Sequence, residues 1–279
     1  MRKIRLIALD LDGTLLDPDK KLSAENAAAL ARAAGEGIEI VPATGRFYRG
    51  MPQLIRDLPY VRYVITINGA AVFDVVNRET VCDSEIPRER AVAVMERLDG
   101  LPVIYDCYQD GWGRMTQAFY DRAEEFAANA HSLDMIKNLR TPVPELKAYL
   151  KEQASGVQKI QIFFQDMDLR ARMLKTLPEE FPDLVVTTSI VNNIEFNSRE
   201  ATKGVALKKL AARLDIPIGE TMAFGDDFND IPMLQAAGIG VAMGNADEEV
   251  KQAADHVTDG CDNSGVAHAM KRFLWENET

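Results

Sequence analysis

The segment Ile4-Arg5-Leu6-Ile7-Ala8-Leu9 carries no charge after Arg5 and ends in two carboxylates, Asp10 and Asp12. Unbroken apolarity over such a length reads as a strand covered on both faces, as in a parallel sheet. Leu22-Ser23 then opens an alanine-rich helix to about residue 34, with Ser23 as N-cap and Gly35 or Gly37 as the stop. A second strand, 38–41, ends in Pro42-Ala43-Thr44-Gly45-Arg46 and leads to a helix reaching about Leu58. A third, 63–67, ends in Asn68-Gly69, a strong turn signal. Strand, helix, strand, helix, strand is the doubly wound pattern.

The regularity then fails. Between about Asp83 and Val191 the pattern predicts helices at 88–98, 118–130, 144–154 and 168–176, mixed with strands at 102–108, 157–165 and 184–189. From Asn193 alternation resumes, with strand 193–197 before helix 203–214, strand 221–225 before helix 229–237, and strand 239–243 before helix 246–254. A last helix covers about 264–275. The expectation is an α/β fold: a Rossmann-like, doubly wound parallel core made of residues 1–83 and 192–279, with an α+β domain, 84–191, inserted in it.

Composition narrows the function. A net charge of −11 argues against nucleic acid as a partner, since phosphate backbones require a basic surface. It leaves small phosphate esters open. Three scattered cysteines without a CxxC fit a reduced cytoplasm. Asp10 and Asp12 interrupt the first apolar stretch too early for a signal peptide. No apolar run of 18 residues predicts a membrane span.

The ends of parallel strands are where open α/β sheets bind ligands. Asp10 and Asp12 stand at one such end, Thr44 at another, Lys203 at a predicted strand-to-helix junction, and Asp226, Asp227, Asn229 and Asp230 after strand 221–225. Like charges gathered at a dry strand end call for a cation, and oxygen ligands suit a hard one. Phosphoryl transfer through a carboxylate nucleophile needs this set: an attacking carboxylate, a second as acid and base, a metal and a lysine. Several residues also have plain structural readings. Asp-Gly is turn chemistry, Thr44 before glycine suits a helix cap, and Asn229 and Asp230 are ordinary caps. Asp166-Met167-Asp168 copies the Asp-x-Asp spacing but reads as a helix cap.

Taken together, Asp10-Leu11-Asp12-Gly13-Thr14-Leu15, Ala43-Thr44-Gly45-Arg46, Lys203-Gly204 and Gly225-Asp226-Asp227-Phe228-Asn229-Asp230 resemble, in order, the four motifs of the haloacid dehalogenase-like phosphatases. Met243-Gly244-Asn245-Ala246 and Ser264-Gly265-Val266-Ala267 are similar to segments of the Cof-type subclass IIB. The resemblance implies a cap inserted between the second and third motifs, Asp10 as nucleophile and Asp12 as general acid and base. It implies Mg²⁺ held by Asp10, the Asp12 backbone carbonyl and Asp226, with Asp230 in support, and phosphoryl oxygens held by Thr44, Lys203 and Asn229. The expected activity is hydrolysis of small phosphorylated metabolites, sugar phosphates foremost. A phosphomutase and a non-catalytic binding module are the alternatives, and the presence of both Asp10 and Asp12 speaks against the second.

Overall fold

The structure, a computed structural model, describes residues 3–276. The chain divides into two compact units, one built from the segments before Ser84 and after Ala201, the other from Ser84–Ala201.

The first unit is centred on a five-stranded parallel sheet. Its order is His256–Val257, Ile239–Ala242, Thr221–Gly225, Leu6–Leu9, Glu39–Pro42. Leu6–Leu9 is therefore interior, with Thr221–Gly225 on one side and Glu39–Pro42 on the other. All four of its side chains are buried, and they alternate between faces. Ile7 and Leu9 pack in a cluster with Leu30, Ala33, Val266 and Met270, and Leu6 and Ala8 in one with Leu207, Leu210, Met233 and Leu234. Burial on both faces is why the segment could dispense with polar residues. Ser23 caps helix Ala24–Gly35, its hydroxyl accepting from Asn26 N–H at 3.1 Å.

Tyr63–Thr66, expected as a third strand of this sheet, is joined to it by a parallel bridge between Ala43 and Ile65 rather than by a ladder. It pairs antiparallel with Ala71–Asp74, which pairs with Glu79–Asp83. The helix expected up to Leu58 is reduced to the short turns Tyr48–Gly50 and Gln53–Arg56, separated by Met51-Pro52.

The second unit carries a six-stranded sheet in the order Leu184–Thr187, Asn193–Ser198, Lys159–Phe164, Val103–Gln109, Trp112–Thr116, Arg140–Val143. Every neighbouring pair is antiparallel except the last. One face packs Tyr105, Ile160, Ile162 and Phe196 on residues of helices Arg88–Arg97, Leu146–Lys151 and Met167–Glu180. Asp166 does cap the last of these, accepting from Asp168 and Leu169 N–H at 2.9 Å.

This organisation corrects the expected boundary at 191/192. Strand Asn193–Ser198 pairs with Lys159–Phe164 and Leu184–Thr187 and so belongs to the inserted unit, and the chain returns to the first unit at Thr202. Its side chains alternate: Ile194 and Phe196 enter the apolar cluster, while Asn193, Glu195 and Asn197 project from the other face. The single helix expected at 118–130 is three pieces, Gln117–Asp121, Ala123–Phe126 and Ala130–Leu139, the last capped by Asn129.

Candidate active site

The site lies in the first unit, at the carboxyl ends of Leu6–Leu9 and Thr221–Gly225. Asp10 follows the first strand directly, and its N–H still extends the ladder to Phe224 O at 3.0 Å. Lys203 is the first residue of helix Lys203–Arg213, whose N-cap is Thr202. Gly204 allows close packing there, because a Cβ would collide with the Pro232 carbonyl. Lys203 is wholly buried, and its Nζ donates to Asp10 Oδ1 and Asp230 Oδ1, both at 2.6 Å. An ammonium at a helix N-terminus opposes the helix dipole; here two carboxylates offset it. The sequence-based expectation that this lysine follows a core strand is corrected, since the strand before it lies in the other sheet.

Asp230 is also buried, and its Oδ2 accepts from Asp226 and Asp227 N–H at 3.0 and 3.1 Å. Gly225 permits this fold-back, because a Cβ would strike the Asp230 side chain. Asp227 serves as a cap, accepting from Phe228 N–H at 2.7 Å. Asp226 accepts from Thr14 Oγ1 at 2.6 Å. It lies so close to Gly13, at φ +93°, that no side chain fits at residue 13. The glycine of the first motif thus meets two demands at once: a left-handed backbone and contact with a carboxylate.

Oxygen atoms of Asp10, Asp226 and Asp230 lie within 4.8 Å of one another. Burial drives the Asp10 carboxyl up to about 7, against the opposing pull of Lys203 and with the charges of Asp230 and Asp226 adding to it. Burial likewise lifts Asp226 to about 6; the Thr14 hydrogen bond opposes this, and Asp230 and Asp227 reinforce it. Three neighbouring carboxylates against one ammonium, which bonds two of them, leave an acidic, all-oxygen cluster. Such a donor set fits a hard divalent cation.

Asp12 differs. Its side chain stands outside that cluster and is about one-third exposed. Lys20 Nζ lies 2.9 Å from Oδ1, and Arg46 Nη2 lies 3.3 Å from Oδ1 and 3.1 Å from Oδ2. Burial pushes this carboxyl up, but hydrogen bonds and charge from Lys20 and Arg46 prevail and hold it below the usual range.

Thr44 is buried after the second strand, where its hydroxyl accepts from Arg46 N–H at 3.2 Å. Asn229 Nδ2 donates to Asn68 Oδ1 at 3.1 Å. Asn68 also abuts Gly45, where a Cβ would come within 2.8 Å of its Oδ1. Asn245 donates to Gly13 O at 2.9 Å and accepts from Cys261 N–H at 2.9 Å, bracing the first motif's loop. Sequence reasoning gave no role to Thr14, Lys20, Arg46, Asn68 or Asn245. All but Lys20 lie in or beside segments it had marked.

The haloacid dehalogenase-like hydrolase profile matches residues 7–270, and the chain belongs to that family. It is a phosphatase of the haloacid dehalogenase-like class. Phosphatase YwpJ of Bacillus subtilis is 34% identical over 97% of this chain and 100% of its own length. The 5-amino-6-(5-phospho-D-ribitylamino)uracil phosphatase YcsE of the same organism is 30% identical, covering 97% and 96%. Among solved structures, a haloacid dehalogenase subclass IIB sugar phosphatase superposes with a TM-score of 0.74 at 25% identity, covering 96% of this chain and 98% of that one. The Cof-type resemblance read from the motifs agrees with these relatives.

Proposed function

We propose that the chain hydrolyses phosphate monoesters of small metabolites, sugar phosphates foremost, through a phosphoryl group carried on Asp10. The observation that carries this reading is the placement of Asp10: a buried carboxylate at a strand end, 2.6 Å from a wholly buried lysine and beside two further carboxylates. Asp10 attacks phosphorus. Asp12 gives a proton to the departing oxygen, then takes one from the water that hydrolyses the aspartyl phosphate. Lys203, Thr44 and Asn229 meet the equatorial phosphoryl oxygens. Asp230 holds Lys203 in line and anchors the backbone of Asp226.

Mg²⁺ is the proposed metal, held by Asp10, the Asp12 backbone carbonyl and Asp226. Bound there, it would neutralise charge on the phosphoryl group and keep Asp10 ionised. Selection among esters is assigned to the inserted unit. Three free cysteines, two of them buried, are consistent with a reduced compartment, the cytoplasm. Among the described residues no helix is long and apolar enough to cross a membrane.

The test is phosphate release from a panel of phosphorylated metabolites with Mg²⁺, with Asp10→Asn as control. Release that depends on Asp10 supports hydrolysis. Conversion of a hexose phosphate into its positional isomer without free phosphate would mean phosphomutase chemistry. Activity that survives Asp10→Asn would defeat the covalent route.

A further inference from the structure

Lys20 occupies a place that local energetics does not explain. Asp17-Pro18-Asp19-Lys20 forms a tight turn: Lys20 N–H donates to Asp17 O at 2.9 Å, and Asp17 N–H to Lys21 O at 3.0 Å. Lys21 N–H closes it further by donating to Asp17 Oδ1 at 2.8 Å. Lys20 itself stands at φ +62°, in the left-handed region where glycine or asparagine is at ease and a long side chain is not. Its ammonium, about half exposed, reaches the partly exposed carboxylate of Asp12. An ion pair that open to water returns little stability, no more than the backbone strain takes away. Stability alone thus favours glycine at this position, and strain kept without a stability return points to function.

The geometry supplies one. Arg46 Nη2 spans both Asp12 oxygens, while its Nη1 donates to Gly50 O at 3.3 Å. Lys20 closes on Oδ1. Two cations from separate loops leave the Asp12 carboxylate little freedom about its side-chain torsions.

We propose that Lys20 is a positioning residue: with Arg46 it fixes the Asp12 carboxylate in the orientation from which a proton passes to the leaving oxygen. The inference rests on the reading of Asp12 as acid and base. In that step the bond from phosphorus to the ester oxygen breaks as the bond to Asp10 forms, and the ionised Asp12 takes the proton carried by the ester's monoanionic phosphate and passes it to the departing oxygen. A badly basic alkoxide needs that proton; a nitrophenolate does not. Misorientation of Asp12 therefore penalises alkyl esters selectively.

The test compares Lys20→Gly, Lys20→Arg and Asp12→Asn on an alkyl phosphate and on p-nitrophenyl phosphate, reading the single-turnover rate of the first step and thermal unfolding. Glycine suits the turn, so Lys20→Gly should unfold at or above the parent temperature. It should nevertheless lose roughly ten- to hundredfold on the alkyl ester and far less on the aryl ester. Lys20→Arg should recover part of the loss. A near-parent alkyl rate in Lys20→Gly, or equal losses on both esters, overturns the proposal. If Asp12→Asn still discriminates between the esters, the acid–base reading survives that failure. If Asp12→Asn treats both esters alike, the acid–base reading itself falls and takes the role of Lys20 with it.

Discussion

Lys203 bears the heaviest electrostatic load of any single side chain in the site. Its burial between two carboxylates changes what its removal does. A solvated lysine could be replaced freely, whereas losing one partner of a buried ion pair costs roughly 3–5 kcal/mol. Lys203→Met should lower the unfolding temperature clearly and reduce kcat/KM by about two to three decades, at roughly 1.4 kcal/mol per decade. Lys203→Arg should not restore activity, since a planar guanidinium does not fit where one ammonium meets two oxygens at 2.6 Å. Near-normal kcat/KM in a folded Lys203→Met variant would remove the lysine from the reaction. The carboxylates make a second prediction. Without a cation, burial raises Asp10 from an ordinary 3.8 to about 7, so the folded chain keeps a proton that the unfolded chain releases. This group's contribution to stability therefore falls as pH rises between those two values. A bound cation offsets the ionised form, so added Mg²⁺ should raise the melting temperature of EDTA-treated protein more near pH 8 than near pH 5. Asp226→Asn should shrink that rise, and an equal Mg²⁺ effect at both pH values would contradict a site built on these carboxylates. The identities of these residues were open to sequence reading, because Asp-x-Asp after so apolar a strand has few structural uses. The second sphere was not: Thr14, Arg46, Asn68 and Asn245 act by where the loops fold back, which spacing along the chain does not encode.

At the level of elements, legibility followed burial. Leu6–Leu9 is apolar throughout, and Thr221–Gly225 carries no polar side chain after Thr221; both faces are covered, and their strand character was plain. Asn193–Ser198 was assigned to the wrong sheet, although its strict alternation marks a strand with one apolar face, unlike the core strands. Trp112–Thr116 escaped notice although Asp110-Gly111, both at positive φ, joins it to Val103–Gln109 as a two-residue hairpin. Gly50 and Pro52 broke the helix expected before Leu58. Outside the site, Asp74 shows how one side chain secures an element end. It closes strand Ala71–Asp74, accepting from Val76 and Asn77 N–H at 2.9 Å and from Arg62 Nη2 at 3.1 Å. Burial pushes its carboxyl up, but the Asn77 backbone bond, then Arg62 and Val76, outweigh burial and hold it below the usual range. Its stabilising contribution is therefore present above the unfolded carboxyl value near 3.8 and lost as pH falls through the lower folded value. Asp74→Asn should melt below the parent at neutral pH, and the gap should close in acid. A gap that persists unchanged at pH 2 would assign the loss to packing instead.

For the whole molecule, the boundary at Ala201/Thr202 decides which truncations are sensible. Replacing 84–201 by a flexible linker removes a complete sheet and leaves the five-stranded one whole. The product should unfold in one cooperative transition and keep Mg²⁺-dependent cleavage of p-nitrophenyl phosphate, with its ranking of metabolite esters changed. An unchanged ranking would refute selection by the inserted unit. Removing only 84–191 should do worse, because Asn193–Ser198 would then keep Ile194 and Phe196 without either neighbouring strand.

The sheet order also has a meaning in time. Leu6–Leu9, the first strand made, lies inside the sheet, yet its neighbour Thr221–Gly225 is among the last. Asp10 must likewise wait 193 residues for the lysine that balances it. During synthesis, a fully apolar strand therefore spends most of translation with one edge unpaired, and late closure of this kind is slow and prone to aggregation. Chains halted before Thr202 should collect as insoluble, inactive material. An enzyme laid out in this way shows no partial activity while incomplete: its catalytic charge balance exists only once the ribosome has delivered the final third.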